Sequence, residues 1–183
     1  MSGRIPASRY YVYLVLAIFG AVADLWTKQA VFFWRGSPGI QPIWWLIPEY
    51  VGIETAVNTG ALFGLGSGFG WLFAVMSVGA GVGILVWLFF FRAAQSLWLT
   101  VAMGCVTGGI IGNLYDRIGL GYQAHWPAEW KSGVRDWILL RWGTHTWPNF
   151  NIADSLLVCG AIMLAWHTFR APAESSPTQP TEK

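Results

Sequence analysis

The hydrophobic positions of this chain fall into four long blocks, residues 10–33, 69–91, 97–114 and 152–169, separated by mixed stretches. Spanning a bilayer takes about 20 apolar residues, and each block reaches or approaches that length. Lipid offers no partner to backbone N–H and C=O groups, so all four blocks are predicted to be helices. The second and third blocks carry no charge. The first is interrupted by Asp24 and Lys28, and the fourth has Asp154 near its start. The expected fold class is an all-α membrane protein of four transmembrane helices, with residues 1–170 as one integral-membrane domain. Residues 171–183 are rich in Pro, Ser, Thr and Glu and read as a disordered tail.

The stretches between the blocks are not plain connectors. Residues 34–68 contain Trp44, Trp45 and a β-like run over 50–57, which predicts a small sheet or flap lying against the membrane. Residues 116–150 contain Trp126, Trp130, Trp137, Trp142 and Trp147 and are expected to rest at the lipid–water interface. Arg4 and Arg9, an apolar run and Ala21-Val22-Ala23 also resemble a cleavable secretory signal. Retaining that first span gives an even number of crossings. Arg4, Arg9, Arg92, Arg170 and Lys183 then share one side, taken as cytoplasmic. Lys28, Arg35, Arg117, Lys131, Arg135 and Arg141 fall on the other, interleaved with acids.

Composition agrees with the pattern. Of the 183 residues, 55% are hydrophobic and 11% charged, against about 25% charged in soluble domains. That argues against a soluble globular enzyme. Thirteen Trp suit interfacial anchoring. A net charge of +2 is too small to point to nucleic acid. Cys105 and Cys159 lie in apolar runs without a CxxC spacing, and a buried small-apolar role is expected of each.

Polar residues inside a membrane are costly and usually functional. Counting spans puts Asn58, Asn113, Asp116, Arg117, Asp136, Asn151 and Asp154 at one membrane face, whichever side that is. Asn113, Asp116 and Arg117 are spaced i, i+3, i+4 and share a helix face, as do Asn151 and Asp154 at i, i+3. Gly108, Gly109 and Gly112 precede them and permit close helix packing. Two carboxylates meeting in a partly dry site share a proton, the equipment for activating a water and protonating a leaving amine.

Simpler roles stand beside each of these. Asp24 and Lys28, at i, i+4, suit a helix ion pair. Asp116 and Arg117 suit orienting or ion-pairing roles, and Arg117 could hold a phosphate or a substrate carbonyl. Asn58 could cap a turn, and Asn151, with Asp154, the start of the fourth helix. Asp136 could form a surface ion pair among Arg135 and Arg141. His125, His145 and His167 are scattered without metal-ligand spacing, and Ser67 in Gly-Ser-Gly reads as a turn. No cofactor or metal is expected.

Four segments together carry a resemblance: Asn58-Thr-Gly-Ala-Leu-Phe-Gly, Gly108-Gly-Ile-Ile-Gly-Asn-Leu-Tyr-Asp-Arg117, Val134-Arg-Asp-Trp137 and Phe150-Asn-Ile-Ala-Asp154. In this order they resemble the boxes of bacterial lipoprotein signal peptidase (signal peptidase II), and Asp24 with Lys28 resembles its first box. The resemblance spans residues 10–170. It implies an inner-membrane aspartyl peptidase with cytoplasmic termini, an extracytoplasmic β-cradle and an interfacial helix or loop. It implies cleavage of diacylglyceryl-modified prolipoproteins just before the lipidated cysteine, sensitivity to globomycin-type inhibitors, and Asp136 and Asp154 as the catalytic pair. Asp24, Lys28, Asn58, Gly60, Asn113, Asp116, Arg117, Asn151 and Ala153 take binding or supporting places.

The chain departs from the family in two ways. It has Val134-Arg135-Asp136-Trp137 where the family usually has Val-Val-Asp-Phe, and an insertion of roughly ten residues over 122–131. The Asp136 assignment places the insertion before that box; Asp116 is the other acid that could take its place. A site assembled within one chain suggests a monomer. A small transporter would instead spread polar residues through the depth of the spans, and a lipid-binding scaffold would need no carboxylate pair.

Overall fold

In the computed structural model, residues 4–60, 66 and 68–170 are described. The predicted tail, the Ser67 turn and most of the Asn58–Gly64 segment lie outside that set. Helix α1 is Ala7–Arg35, α2 Gly70–Leu85, α3 Leu97–Arg117 and α4 Ile152–Arg170. A π-helical turn, Val86–Phe90, extends α2. With that turn included, all four helices are long and apolar enough to cross a membrane. At 29 residues, α1 is about 44 Å long, against a hydrocarbon core of about 30 Å, so it tilts or projects beyond it.

Helix α3 sits between α1 and α4, and glycines set how closely they approach. A Cβ on Gly108 would meet the Ala17 carbonyl oxygen at 3.1 Å and the Gly20 Cα at 3.2 Å. On Gly109 it would meet the Ala153 oxygen at 2.5 Å. Small residues let the backbones close in, as membrane helix packing requires. At the end away from the polar residues, Tyr13, Leu88, Leu99, Ala102 and Met103 form a buried cluster. There Tyr10 stacks on Phe89 at 4.6 Å, and the Tyr13 hydroxyl bonds the Thr107 hydroxyl at 3.0 Å. Large side chains of α2, such as Trp71, Val75, Met76 and Val82, face outward, as a lipid-facing helix would place them.

Four strands form one antiparallel sheet in the order β1 (Trp44–Ile47), β2 (Val51–Asn58), β3 (Val134–Trp142) and β4 (His145–Phe150). The flap expected over residues 34–68 supplies only half of it. The Trp-rich stretch, expected as an interfacial loop, supplies β3 and β4. Asp136 is therefore a strand residue opposite Ala56, not a loop residue. Strand hydrogen bonds fix its height as a loop could not. Residues 122–131, expected from the resemblance to be an insertion, are irregular, with one short 3-10 turn at Ala128–Trp130. The stretch folds back on itself through Trp126, whose ring packs against Phe32 of α1 at 5.6 Å and Trp130 at 6.1 Å. The cysteine expectation fails for Cys159, which is exposed on α4, while Cys105 is half-buried. In a membrane protein an apolar run can face outward, so hydrophobicity alone does not imply burial.

Candidate active site

The polar residues meet where the sheet joins the helix bundle. Lys28 of α1 is fully buried, and its ammonium has three partners. It lies 2.7 Å from Asp24 Oδ2 and 3.0 Å from Asp116 Oδ2, and donates to Asn113 Oδ1 at 2.9 Å. An ammonium has three protons, and burying it is tolerable only when all are used. The expected Asp24–Lys28 pair is thus present, as part of a larger cluster. Asp24 Oδ1 accepts the Ala153 N–H at 2.9 Å, tying α1 to the start of α4.

Asn113 carries the cluster toward the cavity. Its oxygen faces Lys28, which can only donate, so its amide nitrogen is free to donate to Asp154 Oδ1 at 2.8 Å. Asn151 is fixed the same way. Its oxygen accepts the Asp154 N–H at 2.9 Å, leaving its Nδ2 to donate to Asp136 Oδ1 at 2.6 Å and Asn113 Oδ1 at 3.1 Å. The backbone N–H of Asn151 donates to Asp154 Oδ2 at 3.2 Å. Asp136 and Asp154 are 18 positions apart in sequence, yet both are held by Asn151.

Asp136 is 2% exposed. Burial above all, and then the Asp154 carboxylate, pushes its acid strength well away from that of an ordinary carboxyl group: its pKa is raised. Lys28 and the Asn151 hydrogen bond oppose that shift.

Both aspartates line one cavity of about 580 Å³. Asn58, Gly60, Asn113 and Arg117 complete its polar end. Trp147 and Phe150 of β4 and Leu157, Val158 and Cys159 of α4 make an apolar flank. Asn58 does cap a turn, its Oδ1 accepting the Gly60 N–H at 3.1 Å. Arg117 donates to the carbonyls of Asn58 at 3.2 Å and Ser132 at 3.0 Å, and to that of Gly60. Its guanidinium is spent on backbone, with Phe73 beneath it at 5.0 Å, so it braces the cavity rim. Among the described residues no three His, Cys, Asp or Glu side chains gather as a metal site.

Every site residue singled out from the sequence belongs to this assembly. One member was missed. Arg135 is buried and pairs with Asp116, Nε to Oδ1 at 2.8 Å. Its place in the Val134-Arg-Asp-Trp137 segment suggested a solvated neighbour of Asp136; the departure from the family pattern at this position was the available signal.

The comparisons fit this geometry. Residues 16–170 match the signal peptidase (SPase) II family. A lipoprotein signal peptidase of Rhodopirellula baltica is 54% identical, over 97% of this chain and 86% of its own length. One from Pseudomonas aeruginosa is 34% identical, over 84% of this chain and 91% of its own. A solved bacterial membrane enzyme superposes with a TM-score of 0.72 at 23% identity, covering 97% of this chain and 96% of that one, and so shares the fold. With a family match over most of its length and relatives this similar, the chain belongs to the signal peptidase II family.

Proposed function

We propose that this chain is an intramembrane aspartyl endopeptidase that removes the signal peptide from diacylglyceryl-modified prolipoproteins, cutting just before the lipidated cysteine. The observation that carries the reading is the pair of carboxylates from β3 and α4, both bound by Asn151 and both facing one cavity with an apolar flank. The signal helix lies along the apolar flank, with the lipid still in the bilayer. Asp136 and Asp154 hold a water and one shared proton. The ionised carboxylate takes a proton from the water as its oxygen attacks the scissile carbonyl carbon, while the protonated one donates to the carbonyl oxygen. The C–N bond then breaks and the amine nitrogen takes up the proton. The pair titrates as a unit, so neither residue has a permanent role as acid or base.

Residues 1–170 form the single peptidase domain and act as a monomer. The chain sits in the bacterial inner membrane, both termini cytoplasmic, with the site near the extracytoplasmic face and open to globomycin-type inhibitors. The buried charges gather at one end of the bundle and the Gly70–Phe90 span has none, which favours a one-sided site over a transport path.

The test is cleavage of lipid-modified prolipoprotein by purified Asp136→Asn and Asp154→Asn variants. Each is expected to lose at least a hundredfold in turnover. Substantial turnover by either folded variant removes that residue from the pair. Flux through proteoliposomes with no peptide cleavage would favour the transporter.

A further inference from the structure

Asp116 receives more than Lys28. Its Oδ1 faces Arg135 Nε at 2.8 Å, and its Oδ2 accepts the Arg135 backbone N–H at 3.2 Å. The same guanidinium donates through Nη1 to Gln29 Oε1 at 3.3 Å, and lies 6.0 Å from the ring centres of Phe32 and Tyr115. The Arg135 carbonyl accepts from Asn151 Nδ2 at 3.4 Å. Arg135 therefore fastens β3 to α1 and α3 one residue before Asp136.

The backbone that leads into residues 122–131 closes over this pair at Gly121. A Cβ on Gly121 would overlap Asp116 Oδ1, and would lie 2.7 Å from Arg135 Nε and 2.9 Å from Cζ. Only a bare backbone can approach that closely. The Gly121 backbone thus covers a buried ion pair whose guanidinium has the Phe32 and Tyr115 rings beside it. Its charges are screened little in such surroundings.

The charges around Asp136 come from four elements: Asp24 and Lys28 on α1, Asp116 and Arg117 on α3, Asp154 on α4, and Arg135 on β3. Asp24, Lys28, Asp116 and Arg135 sum to zero. Without Arg135 the cluster is left with one net negative charge behind the aspartate pair. We propose that Arg135, sealed under the Gly121 backbone, is a positioning residue for the peptidase: it cancels the Asp116 charge and sets Asp136 against Asp154. This rests on the aspartyl-peptidase reading above.

The experiment compares kcat against pH for the purified full chain, Arg135→Met, Asp116→Asn and the double variant, on lipid-modified prolipoprotein. Arg135→Met is expected to lower kcat on the order of 100-fold through misplacement of Asp136. Its alkaline limb should move up by about one pH unit, because an uncompensated negative charge disfavours ionising the pair. Asp116→Asn should move the limb down, and the double variant should return it to the wild-type position. A limb that stays put in both single variants, or wild-type kcat in Arg135→Met, overturns the proposal. If Arg135→Met does not fold, Asp116→Asn and the double variant, which buries no unpaired charge, carry the test: a limb that stays put in Asp116→Asn, or wild-type kcat in the double variant, overturns it. Asp136→Asn and Asp154→Asn are run alongside. If they keep full turnover, the aspartyl reading itself has failed, whatever Arg135 does.

Discussion

Asn151 and Asp154 cap helix α4 reciprocally: the Asn151 side chain accepts the Asp154 N–H at 2.9 Å, and the Asp154 carboxylate accepts the Asn151 N–H at 3.2 Å. This is a capping box with the acid at its third helical position. Asp154 is thus both part of the helix start and part of the cavity wall. The same Asn151 amide reaches Asp136 at 2.6 Å, so one residue registers the two carboxylates.

Two substitutions at Asn151 separate its tasks. Asn151→Ala removes the cap, costing about 1 kcal/mol of stability, together with the bond to Asp136. Asn151→Ser keeps a capping hydroxyl but does not reach Asp136. The expected result is near-wild-type melting in detergent for the serine variant, with turnover lowered about as far as in the alanine variant. Full turnover in Asn151→Ser would mean that the contact with Asp136 is idle.

Lys28→Met tests the buried cluster. It leaves Asp24 and Asp116 facing each other without their shared cation, and breaking a buried pair costs about 3–5 kcal/mol. It also frees the Asn113 amide to turn its oxygen toward Asp154. A marked drop in melting temperature is expected, with loss of turnover even at temperatures where the variant stays folded. A variant as stable as the wild type would show that the cluster contributes little.

Much of this arrangement was legible in the sequence, because spans and helical spacings are local properties. Asn113, Asp116 and Arg117 share a face of α3 by spacing alone, and counting crossings brought them to the level of Asp154. The sheet was only half legible. Composition marks Trp126, Trp137 and Trp142 as aromatic residues of one stretch, but not that Trp137 and Trp142 belong to β3 or that Trp126 is buried against Phe32. The Asp116–Arg135 pair was not legible at all. Its members lie 19 positions apart, and the path between them is irregular, set by how Gly121 and Trp126 close on the bundle.

The pH dependence follows from Asp136. Burial and then the Asp154 carboxylate raise its pKa well above the ordinary carboxylate range. A group raised on folding contributes stability that is complete below its unfolded value and is lost as pH rises through its folded value. The wild type should therefore lose thermal stability toward alkaline pH, and Asp136→Asn should lose less. Turnover should fall over the same interval, since the pair then gives up its shared proton. Parallel stability curves for the two proteins would contradict a raised Asp136 pKa.

Glycines of similar appearance should behave oppositely. A Cβ on Gly112 of α3 would overlap the Asp24 carboxylate and come within 2.9 Å of its Cγ. Asp24 has no room to retreat without leaving Lys28 and the Ala153 N–H, so Gly112→Ala disturbs the charge cluster and the α4 start together. Gly81 of α2 has nothing within 4 Å of the corresponding position. There alanine adds helix propensity of up to about 1 kcal/mol and meets no neighbour in the chain. Gly112→Ala is expected to lower both melting temperature and turnover, and Gly81→Ala to leave turnover intact and stability equal or higher. A wild-type profile for Gly112→Ala would show that α1 and α3 can separate without cost, and that the close approach seen at Asp24 does not hold the site together.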